Sequence, residues 1–90
     1  MTKHSIQDSA YQLHHWNLSR IHEGITAVGS LCGRQGYPEG IRIRTSVIQK
    51  WQIGTDEIIL YTINSVYRCP IREYADTGGT ISLLEEIQHL

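Results

Sequence analysis

From Ile41 onward the chain alternates apolar and polar side chains: Ile41, Ile43, Thr45 and Val47, with Arg42, Arg44 and Ser46 between them. A period of two marks a strand with one face buried. With Trp51 and Ile53 continuing the apolar set, the pattern predicts one long strand over residues 41–53, aliphatics inward and guanidinium groups outward. The IGTDE that follows reads as a hairpin turn. Residues 57–69 return as a strand rich in β-branched and aromatic residues, with Asn64 and Ser65 marking a bulge or a tight turn. Pro70 has no N–H to donate, so the sheet ends there or becomes an edge. Upstream, Ile25, Ala27, Gly29 and Leu31 alternate with Thr26, Val28, Ser30 and Cys32. Both sets are fairly apolar, which predicts a strand buried on two sides or bent at Gly29. The GRQGYPEG between these strands holds three glycines and a proline and reads as a loop.

The two ends carry a different period. Ile6, Ala10, Leu13 and Asn17 fall at helical spacing behind Ser5 or Asp8 as a cap, which predicts a short helix over residues 6–15. Residues 17–23 are ambiguous, with Leu18 and Ile21 compatible with a first short strand. After the ADTGGT connection, Ser82 to Glu85 matches a capping box, and Leu83, Leu84, Ile87 and Leu90 line one side of a C-terminal amphipathic helix. The expected class is α+β, mainly β: a small, strongly bent antiparallel sheet of SH3-like barrel type with a helix at each end.

Composition narrows this picture. Ninety residues make one domain, with 40% hydrophobic and 19% charged residues, as suits a folded globule. Phe is absent, so core aromatics must be Tyr or Trp, each with a polar group to satisfy. No run of 18 apolar residues and no leader-like N-terminus is present, which predicts a cytoplasmic protein. Cys32 and Cys69 match no zinc spacing and read as buried thiols. The net charge of −1 conceals an asymmetry. Between Ser30 and Arg72 six basic residues stand against three acids, whereas Glu73 to Leu90 carries four acids and no Lys or Arg. A basic middle and an acidic tail attract separate partners or each other.

Candidate chemistry is sparse. The adjacent His14 and His15 lack the i, i+4 spacing of a helical metal pair, and no HExxH arrangement occurs, so no metal site and no cofactor is expected. No nucleophile has a base at a supporting spacing, and the loop glycines precede a strand rather than a helix, so no phosphate loop is expected either. What remains is binding. Arg42 and Arg44, with Arg68 if the returning strand pairs in register, form an electropositive strand face, and Tyr37 and Tyr67 are the aromatic residues placed to flank it. The same arginines also read as the solvated side of an ordinary strand.

The pattern Gly33, Gly36, Pro38, Glu39, Gly40, Ile43, Thr45, Ser46, followed by Thr62, Asn64, Ser65 and Tyr67, resembles small uncharacterised accessory proteins of phages and prophages. That resemblance covers roughly 40 residues and brings no catalytic residues with it. It implies a compact protein that occupies a surface on a host machine, as anti-CRISPR and anti-restriction inhibitors do. The expected function is therefore a non-enzymatic protein-binding module, a phage-type inhibitor or modulator of a host protein or ribonucleoprotein complex. The alternatives are a nucleic-acid-binding SH3-like module using a basic-aromatic strand face, an enzyme or toxin, and an assembly subunit that pairs with a second copy through its C-terminal apolar stripe.

Overall fold

The computed structural model describes residues 10–75 and Ile87. These form six strands: β1 (Tyr11–Ile21), β2 (Gly24–Cys32), β3 (Ile41–Arg44), β4 (Ile48–Ile53), β5 (Glu57–Thr62) and β6 (Val66–Pro70), followed by a 3-10 turn at Ile71–Glu73. They lie in one sheet of order β3-β2-β1-β6-β5-β4. Every neighbouring pair is antiparallel except β1 and β6, which run parallel in the middle of the sheet through Tyr11↔Tyr67 and Gln12↔Arg68.

This corrects the expected class. The sheet is mixed and open rather than an antiparallel SH3-like barrel, and the predicted N-terminal helix is displaced by β1, the longest strand among the described residues. Residues 6–9 of that predicted helix, and the C-terminal helix apart from Ile87, lie outside the described residues.

The physical reason for β1 is a bulge. Leu13 faces Leu31 and His14 faces Ser30, but Asn17 already faces Val28, so His15 and Trp16 together oppose Gly29 alone. His15 takes φ 47, the left-handed conformation that absorbs the inserted residue. The insertion moves the inward positions from odd to even numbers, burying Leu13, then Trp16 and Leu18. A strand's period of two with one residue inserted gives a spacing of three, which is what a helical period looks like over a short window. Gly29 is the complement of the bulge rather than a bend. A Cβ there would lie 2.7 Å from Leu13 Cγ, 2.9 Å from Trp16 Cβ and 3.0 Å from the His14 carbonyl oxygen. Only a residue without a side chain fits beneath two large inward neighbours.

The predicted strand over 41–53 breaks into β3 and β4 at Thr45–Val47. The Thr45 N–H donates to the Ala27 carbonyl (2.8 Å), while its hydroxyl accepts from the Ala27 N–H (3.0 Å) and donates to the Ser46 carbonyl (2.7 Å). The Thr45 side chain thus takes over the acceptor role its backbone carbonyl would have in a continuing ladder, and the chain can leave β2. Two residues later the Ile63 N–H donates to the Val47 carbonyl, beside β5. Three residues therefore carry the chain from one edge strand to the other, which requires the open sheet to curl. Residues 57–69 likewise divide at the 63–65 turn, closed by Thr62 Oγ1 donating to the Ser65 carbonyl and accepting from its N–H.

The core sits inside that curl: Leu13, Trp16, Leu18, Ala27, Leu31, Ile58, Leu60, Tyr67, Cys69 and Ile87. Its aromatic content is Trp and Tyr, and the polar group of Trp16 is satisfied, its Nε1–H donating to the Pro70 carbonyl at 2.7 Å. The ring of Tyr74 meets Trp16 edge-on at 4.9 Å. Two of the expected inward aliphatics, Ile41 and Ile53, are instead 40% and 43% exposed, because each lies at the outer end of an edge strand.

Candidate functional site

The loop between β2 and β3 is folded by its own backbone. The Gly33 N–H donates to Glu39 Oε1 at 2.8 Å, the Tyr37 N–H to the Arg34 carbonyl, and the Gly40 N–H to the Leu31 carbonyl at 2.7 Å. Gly36 and Gly40 take φ values of 90 and 81, open to glycine and strained for other residues. This fold places the Arg34 guanidinium over two rings, 4.9 Å from the centroid of Tyr11 and 4.6 Å from that of Tyr37. Tyr11 is in turn 6.0 Å from Tyr67 across the parallel β1–β6 pair.

On β3, Arg42 and Arg44 are exposed, as the alternation predicted. Arg42 Nη1 donates to the His15 carbonyl at the bulge (3.1 Å), and Arg44 Nη1 donates to Thr26 Oγ1 (2.9 Å). Neither guanidinium is paired with a carboxylate among the described residues. Arg68 differs. It pairs in register with Gln12 of β1, and its Nε and Nη2 reach both oxygens of Glu57 at 3.1 Å, so its charge is matched. Tyr67 is 4% exposed and points into the core, opposite to Arg68 on the same strand. Tyr37 is 45% exposed.

The five residues anticipated from sequence therefore do not share one face. Arg42 and Arg44 stand together, Tyr37 projects from the adjoining loop, Arg68 is neutralised three strands away, and Tyr67 is a core ring. Sequence reasoning missed Arg34. Its spacing of three from Tyr37 across a glycine turn was the available signal; its contact with Tyr11, 23 positions upstream, had none.

Between β3 and the 63–65 turn lies a cavity of about 340 Å³. Leu31 and Ile43 supply apolar lining, and Arg34, Tyr37, Arg44 and Tyr67 also border it, with Ser46 and Asn64 at the seam where the chain changes edges. The Tyr67 hydroxyl has no hydrogen-bond partner among the described residues. Since no buried side-chain polar atom there lacks one, that hydroxyl is not sealed off, and Tyr67 is among the residues that border this cavity.

A second cluster joins the bulge to the 3-10 turn. Glu73 Oε1 accepts from His14 Nδ1 (2.9 Å) and from the His15 N–H (3.1 Å), and His14 Nε2 lies 3.0 Å from Gln12 Oε1. Burial alone would raise the Glu73 carboxyl, but these hydrogen bonds and the nearby histidines outweigh it and hold the group below its ordinary value. Among the described residues no three His, Cys, Asp or Glu side chains gather to hold a metal ion. Cys32 and Cys69 are both free thiols; burial, with the charge of Glu57 adding to it, pushes the Cys69 thiol far up. Among the described residues no helix is long and apolar enough to cross a membrane.

No protein-family model matches the chain, and no curated protein or solved structure shows significant similarity to it.

Proposed function

We propose that this protein is a non-enzymatic protein-binding module whose contact surface is β3 with its preceding loop. The observation that carries the proposal is the pair Arg42 and Arg44. Both are exposed, each is anchored by one hydrogen bond, and neither is matched by a carboxylate among the described residues; exposed Tyr37 and Ile41 adjoin them. Arg, Tyr and an aliphatic residue on and beside an edge strand of the described sheet make the composition of an interface anchor. The partner such a surface recognises is an acidic protein surface, and the mode is occlusion: charge speeds the encounter and the anchors hold it. A phage-type inhibitor of a host defence complex, working in the cytoplasm, would act in this way.

The nucleic-acid reading fits the geometry less well. Base stacking needs free aromatic faces. Here Arg34 already covers one face each of Tyr11 and Tyr37, and Tyr67 is in the core.

The test is affinity capture from a host lysate at low and high salt, with and without nuclease, using wild type and Arg42→Glu. Loss of an anchor of about 2 kcal/mol or more lowers affinity at least about 30-fold, so the variant should lose its partner while keeping the wild-type Tm. Undiminished capture by Arg42→Glu removes this surface from consideration. Capture abolished by nuclease in the wild type replaces the protein partner with nucleic acid.

A further inference from the structure

The cavity beside β3 has a chemistry the docking surface does not need. Arg34 is half-buried, and its guanidinium lies over the rings of both Tyr11 and Tyr37. Among the described residues it has no hydrogen-bond or ion-pair partner. A guanidinium carries five N–H donors in a rigid fork, and lying over aromatic rings leaves those donors for a ligand. Glu39 of the same loop does not fill the role, because its carboxylate accepts from the Gly33 N–H and forms no ion pair with Arg34.

The rest of the lining is also donor-rich. Arg44 also borders the cavity, although its guanidinium donates to Thr26, which is not part of the lining. The Ser46 hydroxyl accepts from the Asn64 N–H at 3.2 Å, so its own proton is left to donate. Tyr67, whose hydroxyl is not sealed off, borders the same space. No acidic side chain lines the cavity among the described residues. One unmatched guanidinium and two hydroxyl groups bordering a space with no counter-charge among the described residues complement a small anion with several oxygens.

Size and apolar surface extend the argument. About 340 Å³ exceeds what a bare phosphate occupies, and Leu31, Ile43 and the Tyr37 ring offer contact to an organic group. We infer that the cavity bordered by Arg34, Arg44, Ser46 and Tyr67 binds an organic phosphate monoester. The phosphate lies on the Arg34 fork and its organic group against Ile43 and Tyr37. A monoester offers three terminal oxygens to the Arg34 fork and the two hydroxyl groups, where a carboxylate offers two.

Arg42 does not line the cavity, so this inference and the docking proposal fail separately. A protein that captures its partner through Arg42 yet binds no monoester loses only the inference. One that binds the monoester while Arg42→Glu captures normally loses only the docking surface.

The experiment is calorimetric titration of the full chain at fixed ionic strength with phenyl phosphate, inorganic phosphate, sulfate and benzoate. Adenosine monophosphate and an O-phosphotyrosine peptide are added as separate arms. Saturable binding of phenyl phosphate, tighter than phosphate, sulfate and benzoate, is expected. A charged hydrogen bond corresponds to a loss of about 10-fold or more in Arg34→Gln. Tyr67→Phe deletes only one hydroxyl from an otherwise intact ring and should weaken binding several-fold; it keeps the test decisive if Arg34→Gln folds poorly. Lys50→Gln removes one positive charge outside the cavity and should leave the titration unchanged. Preference for adenosine monophosphate would assign the monoester to a free nucleotide, and preference for the peptide to a phosphorylated side chain; either supports the site. Equal response to phenyl phosphate and benzoate, binding no tighter than sulfate, or unaltered binding in both Arg34→Gln and Tyr67→Phe overturns it.

Discussion

Gly29→Ala should destabilise this protein although it adds a single methyl group. The residue lies opposite the β1 bulge, and the new Cβ would meet Leu13 Cγ at 2.7 Å, Trp16 Cβ at 2.9 Å and the His14 carbonyl oxygen at 3.0 Å. Two effects compete. Replacing glycine restricts the unfolded chain and by itself favours folding by about 0.4–1 kcal/mol. Overpacking a tight core costs about 1–3 kcal/mol, and here the upper end applies. Leu13 and Trp16 are both fully buried, and the third neighbour is main chain, so none of the three is the far end of a flexible side chain. The steric term wins, leaving a net loss of about 2 kcal/mol. For a domain of this size that lowers Tm by roughly 8–16 °C. Urea unfolding followed by tryptophan fluorescence, with thermal melting by circular dichroism, measures it. The double variant Gly29→Ala/Leu13→Ala isolates the cause, because deleting Leu13 Cγ removes the closest contact and the alanine at 29 should then cost less. A Tm within about 2 °C of wild type, or costs that simply add in the double variant, would refute the packing of Gly29 beneath the bulge.

Two further outcomes follow from the same frame. The Glu73 carboxyl is held below its ordinary value, so its contribution to stability is complete above the unfolded pKa of about 4.3 and is lost as pH falls through the folded one. The Tm advantage of wild type over Glu73→Gln should therefore be present at pH 6 and vanish on acidification; an advantage that persists at pH 2 contradicts the His14–Glu73 contact. Cys69 is buried with its thiol pushed far up while Cys32 is only half-buried, so an aromatic disulfide reagent should label one thiol quickly in the native protein and the second only after unfolding. Two equally fast thiols would place Cys69 outside the core.

The legibility of this sequence varied with the range of the interaction. The alternation of Arg42 and Arg44 with Ile43 was readable because a strand's side-chain period is local, and both arginines are exposed as that period requires. The hairpin after Ile53 was readable for the same reason: Gly54 closes it by donating to the Glu57 carbonyl. The helix predicted over 6–15 failed through a bulge whose cause is not local. An extra residue between His14 and Asn17 is tolerated because Gly29, on another strand, makes room for Trp16 beside Leu13. Tyr67 was read as a contact residue because Tyr beside Arg on a strand suits an interface; its register against Tyr11 of a parallel neighbour turned the ring inward. Glu57, 11 positions before Arg68, neutralises an arginine that charge counting left free.

The amino-acid order alone determined a mainly β chain, the glycine loop before β3, the outward guanidinium groups of that strand and a core with Trp and Tyr in place of Phe. Those follow from side-chain period and backbone chemistry, which act between residues a few positions apart. Tertiary structure decided the parallel β1–β6 pairing, the division of residues 41–53 between the two edges of the sheet, and the placing of Arg34 over rings from two different segments. Each of these depends on which distant strands share hydrogen bonds. Many pairings satisfy the same local pattern, and only burial of the whole set of apolar side chains selects among them.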